Sequence, residues 1–92
     1  MYVEVVTAAG PLTADTVEEL LAVGGRYTSR VTLTVGDRTV QLPVLGVCWD
    51  ELGVTAGTVI TVEADRGHRP ADAEDRAALA EVVAVLARRA GG

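Results

Sequence analysis

His68 is followed by Arg69 and Pro70, placing an imidazole beside a guanidinium. That pairing could take up a phosphoryl group and bind its oxygens. Asp65, Asp72, Glu74 and Asp75 lie around it in sequence, and a lone histidine in a polar loop is ordinarily just solvated, so a phosphorylation site at His68 is a secondary expectation. Cys48 has no neighbouring cation in sequence to activate its thiol and reads as a buried, inert side chain rather than a nucleophile. One cysteine excludes an internal disulfide, and one cysteine with one histidine cannot assemble a structural zinc site. Glu18 and Glu19, and Asp72, Glu74 and Asp75, fall at the starts of predicted helices, where the helix dipole accounts for acids. There is no Ser/His/Asp set, no glycine-rich phosphate loop of the Walker type and no acid/base pair in an identifiable cleft. The chain does not read as an enzyme, and no cofactor or metal is implied.

The 92 residues, 49% of them hydrophobic, fit one domain over residues 1–92 with a modest core. A chain of this size buries about two-thirds of its unfolded surface and needs no staples. All the basic residues are arginine, and acids exceed them to give a formal net charge of −5. No Lys/Arg cluster exists to release counterions from a phosphate backbone, so nucleic acid is not an expected partner. The opening Met1-Tyr2-Val3-Glu4 has no basic region before an apolar run, and no stretch approaches about 18 apolar residues. A cytoplasmic protein with no membrane contact is expected.

The elements that must position these residues follow from hydrophobic period. Val3, Val5 and Val6 form a β-branched run broken at Ala9-Gly10-Pro11. From Thr13 onward Val17, Leu20, Leu21 and Val23 recur at helical spacing, with either Thr13 or Thr16 as N-cap and Gly24-Gly25 as the stop. Val31, Leu33 and Val35, then Val40 and Leu42, alternate around Gly36-Asp37 as a hairpin that Pro43 ends. Val44 to Leu52 fits a short helix or turn closing at Gly53. Thr58 to Glu63 is the strongest strand, and Leu79, Val82, Val83 and Leu86 mark a last helix, with Asp72 as N-cap, running to about Ala90. The order is β-α-β-β-(α)-β-α, an α+β class in which helices cover one face of a four-stranded, mainly antiparallel sheet.

This order and the residues that fill it resemble HPr, the histidine-containing phosphocarrier protein of the bacterial phosphotransferase system. The similar segments are Leu12-Thr13-Ala14, Tyr27-Thr28-Ser29 and above all Leu52-Gly53-Val54-Thr55-Ala56-Gly57-Thr58-Val59-Ile60-Thr61-Val62. The resemblance spans nearly the whole chain and implies an open-faced β-sandwich, three helices on one side of four strands. It also implies a histidine capping the first helix, phosphorylated by Enzyme I and followed by an arginine and a proline. Thr13 falls at the histidine, Asp15 at the arginine and Thr16 at the proline, with Pro11 inserted upstream. Val44, after Pro43, falls at the regulatory serine that many HPr proteins carry, so the branch that keeps that serine without the histidine is not matched either.

What the resemblance implies is therefore a domain with a degenerate active site. A phosphoryl group adds nearly two negative charges, whereas Asp15, Glu18 and Glu19 already occupy the positive end of the helix. The region of Val44 to Trp49 matches the surface that, with the first helix, docks HPr partners. Thr13, Asp15, Thr16, Val44, Leu45, Val47 and Trp49 are the expected contacts with a protein partner, Trp49 being equally suited to core filling. Gly67-His68-Arg69-Pro70 resembles a shortened carrier motif, which makes a divergent phosphocarrier using His68 the second expectation. A third comes from Gly91-Gly92, which resembles the terminal diglycine of ubiquitin-like sulfur carriers. Only Ala90 separates it from Arg88-Arg89, so a helix-stop role is preferred over a carrier tail.

Overall fold

The β-branched runs form strands and the 3.6-period runs form helices, in the expected order. A computed structural model describes residues 2–68 and 70–88. It contains β1 (Tyr2–Thr7), α1 (Ala14–Arg26), β2 (Arg30–Val35), β3 (Arg38–Gln41), α2 (Leu45–Cys48), β4 (Val59–Asp65) and α3 (Ala71–Ala87). Short 3-10 turns at Leu42–Val44 and Trp49–Leu52 flank α2, and Gly53 closes the second in the left-handed conformation, with φ of 63°. The sheet order is β1-β4-β2-β3 and every neighbouring pair is antiparallel. Val6 pairs with Ile60 and Leu33 with Val62, which fixes the register that turns the apolar positions of three strands to one side. On that side Val31, Leu33, Ile60, Val62 and Ala64 meet Val17, Leu20 and Val23 of α1 and Ala78, Leu79, Val82, Val85 and Leu86 of α3 in one buried cluster. The opposite face of the sheet is open and carries the exposed Val3, Val5 and Val59.

Three element ends differ from the sequence reading. Gly24-Gly25 does not stop α1, which runs on to Arg26. A Cβ at Gly24 would stand 2.8 Å from Leu42 Cδ2, so this glycine serves the close approach of helix to turn rather than termination. The last turn is held from outside: Glu81 of α3 receives hydrogen bonds from both the Arg26 guanidinium and the Tyr27 hydroxyl. At α3, Pro70 is the N-cap, without a side-chain hydrogen bond, and Asp72 lies inside the first turn. That helix ends at Ala87 with Arg88 as C-cap, short of the expected Ala90, which lies outside the described residues.

Candidate functional site

At the start of α1 the structure decides between the two possible caps. Thr13 is extended, with φ of −121°, and its Oγ1 accepts a hydrogen bond from the Thr16 backbone N–H at 3.2 Å. The two hydroxyl oxygens lie 3.0 Å apart, and the Thr13 carbonyl accepts from Val17 N–H at 2.9 Å. Thr13 is thus fully engaged in starting the helix, and Thr16 supports it from the first turn. Asp15 and Glu18 are exposed in these first turns. Glu19 faces α3, where the Arg88 guanidinium pairs with it and is held above its ordinary range by that hydrogen bond.

The apolar run after Pro43 is divided between core and surface. Val44 is 52% exposed and Val47 86% exposed, whereas Leu45 is wholly buried. Leu45 is therefore a core residue and not a partner contact: a single helical turn presents its first and third residues to opposite environments. Trp49 is half-buried and packs against the buried cluster, so its ring does part of the core filling. Cys48 is half-buried rather than buried. Its Sγ lies 3.5 Å from the Val44 carbonyl, the thiol donating weakly, and it lines a hollow of about 240 Å³ with Arg38, Thr39, Val40, Glu51 and Leu52.

His68 lies at the other end of α1. Its side chain is exposed, and its backbone N–H reaches Glu74 Oε1 at 2.7 Å and Thr28 Oγ1 at 3.1 Å. Thr28 follows the C-terminus of α1, a helix of 13 residues and hence about 20 Å long, so His68 and Thr13 are separated by its length. Asp65 is paired with Arg30 across the sheet.

Glu74 and Asp75 are not the solvated helix-start acids that dipole arguments suggest. They are 5% and 2% exposed and clasp two loops. Asp75 Oδ1 accepts from Ser29 Oγ at 2.6 Å and from Gly67 N–H at 2.8 Å. Glu74 accepts from the backbone and hydroxyl of Thr28 and from His68 N–H. Arg66, with φ of 65°, makes the left-handed turn that aims the Gly67 and His68 amides at α3. A signal for this was present in sequence. Glu74 and Asp75 precede the buried Ala78 and Leu79 by four residues and so extend the buried stripe of α3 by one turn.

No protein-family model matches the sequence, and none of the curated proteins does. Solved structures do match. HPr from Thermoanaerobacter tengcongensis aligns over 94% of this chain and 91% of its own with a TM-score of 0.74 at 16% identity. The phosphocarrier protein HPr of Bacillus anthracis aligns over 92% and 95% with a TM-score of 0.73, also at 16% identity. The fold is that of HPr. A histidine-containing phosphocarrier protein of Mycoplasma aligns over 91% and 88%, with a TM-score of 0.68 at 17% identity.

Within the HPr fold, three of the surface residues picked from sequence come from one element, Thr13, Asp15 and Thr16 at the start of α1. Val44 and Val47 come from α2 and the turn before it, packed beside α1. The expected roles of Arg69, Arg89, Gly91 and Gly92 lie outside the described residues. Among the described residues no three His, Cys, Asp or Glu side chains converge as metal ligands, and no helix is long and apolar enough to cross a membrane.

Proposed function

We propose that this chain is an HPr-family domain that does not transfer phosphoryl groups and instead docks a protein partner through the start of α1 and the exposed valines of α2. It acts as a single domain, resides in the bacterial cytoplasm and has no catalytic activity of its own. The observation that carries the reading is the state of Thr13. The position that the resemblance assigns to the phosphorylated histidine holds a hydroxyl whose oxygen accepts the Thr16 N–H and pairs with the Thr16 hydroxyl.

Charge supports the same reading. Asp15 and Glu18 stand exposed at a helix N-terminus that would otherwise welcome a phosphate, and no described arginine is bonded to either. His68 does not stand in for the missing acceptor at this face, because it lies a helix length away from Thr13. Val44 and Val47 supply apolar surface that the fold itself does not use.

Intact-mass analysis after incubation with Enzyme I and phosphoenolpyruvate, at neutral and acid pH, tests the loss of transfer. The expected result is an unchanged mass. An acid-labile phosphoryl adduct mapping to His68 would overturn it and establish a carrier of divergent design.

A further inference from the structure

The face between α1 and α2 has a charge as well as an apolar character. The two helices meet at Leu21, whose Cδ1 would stand 3.4 Å from a Cβ at Gly46. Leu21 also lines a shallow hollow of about 210 Å³ with Gly24, Gly25, Leu42 and Pro43. Val44 and Val47 stand exposed on the α2 side. On the α1 side the exposed Glu18 precedes Leu21 by three residues and so borders the same stretch of surface. Beyond Val47 come Asp50 and Glu51, also exposed.

The described arginines leave this border uncompensated. Arg26 binds Glu81, Arg30 binds Asp65, Arg88 binds Glu19, and Arg76 lies over the Tyr2 ring. Arg38 lines the separate hollow with Cys48, Glu51 and Leu52 and donates to the main-chain carbonyl of Glu51 at 3.3 Å, and Arg66 lies in the left-handed turn after β4. Asp15, Glu18 and Asp50 have no ion pair among the described residues. An apolar centre of Leu21, Val44 and Val47 is therefore bordered by the unpaired Glu18 on the α1 side and followed by Asp50 three residues beyond Val47.

Resting on the docking reading above, we propose that the occupant of this face is a protein segment presenting an apolar side chain flanked by arginine or lysine. The apolar side chain fills the hollow beside Leu21 and covers Val44 and Val47. The flanking cations meet Glu18 on one side and Asp50 on the other. Complementary rim charge steers such a partner in and penalises an acidic one, because like charges brought together at a rim repel.

The test uses the full chain, labelled with nitrogen-15, and two synthetic amphipathic helical peptides with the same leucine stripe, one flanked by arginine and one by glutamate. The arginine peptide is expected to shift the amides of Glu18, Leu21, Val44 and Val47, to weaken with added salt, and to bind at least about tenfold more tightly than the glutamate peptide. The double variant Glu18→Lys with Asp50→Lys, both exposed sites, is expected to lose about five- to tenfold of that affinity. Equal binding of both peptides at these amides would overturn the charge proposal and leave the docking reading standing. Shifts confined to other residues, or no shifts with either peptide, would overturn the proposal together with the docking reading of this face.

Discussion

Gly67 approaches Asp75 so closely that its N–H donates to Oδ1 at 2.8 Å and a Cβ at position 67 would stand 2.6 Å from the same oxygen. The same imaginary Cβ would lie 2.8 Å from Ser29 Oγ. The loop after β4, the loop before β2 and the first turns of α3 are thus joined at one buried carboxylate. This junction holds β4 and β2 in register at the end where Arg30 opposes Asp65.

Removing that carboxylate should be costly. Asp75→Ala strands a buried backbone N–H and leaves Ser29 Oγ without its acceptor, which together cost about 2–4 kcal/mol. Denaturant unfolding at neutral pH reads this directly. Gly67→Ala should lose about 1–3 kcal/mol, because the added methyl meets polar atoms fixed by hydrogen bonds rather than a yielding side-chain tip. A loss below about 0.5 kcal/mol in both variants would show that the clasp contributes little.

The paired glycines of α1 should respond in opposite ways to alanine. Gly25 has open space around its Cβ position, so Gly25→Ala gains helix propensity and should stabilise by about 0.5–1 kcal/mol, read as a rise in Tm of about 2–8 °C. Gly24→Ala gains the same propensity but sets a methyl 2.8 Å from Leu42 Cδ2, in contact with a fully buried residue. Its Tm should be unchanged or lower. Equal stabilisation of both variants would mean that Leu42 yields freely.

These same glycines show where sequence reasoning stopped. Strand β4, Val59–Asp65, is legible from the β-branched run of Thr58 to Glu63, and α3 from apolar residues recurring at helical spacing. The continuation of α1 past Gly24 is not, because it depends on Leu42, 18 residues away, and on Glu81 in another helix. The burial of Glu74 and Asp75 was hidden by a simpler account, since acids at a helix start are ordinarily explained by the dipole alone. Leu45 was misassigned because α2 has only four residues, too few for a period to reveal which side faces inward.

Thr13 should behave as a cap and nothing more. Thr13→Ala is expected to cost about 0.5–2 kcal/mol by removing the acceptor for Thr16 N–H, and Thr13→Ser should restore most of it. Thr13→His should remain unphosphorylated by Enzyme I, because Asp15 stands two residues further on, where the resemblance calls for an arginine. Mass analysis of that variant beside the double variant Thr13→His with Asp15→Arg separates the missing nucleophile from the opposing charge. Phosphorylation of the single variant would show that the acids at this end of α1 do not exclude a phosphoryl donor.

Val47 and Trp49 should separate docking from stability. Val47 is 86% exposed, so Val47→Ala should leave the unfolding free energy within about 0.5 kcal/mol of the starting protein. Trp49 is half-buried against the core, and Trp49→Ala should lose about 2–3 kcal/mol, because removing the ring takes away packing against the buried cluster. A partner that reads the apolar face must therefore be assayed with Val47 variants. Loss of binding in Val47→Asp with an unchanged Tm assigns the contact to the surface. A fall of several degrees in the Tm of Val47→Ala would instead place that side chain in the fold and remove it from the docking face.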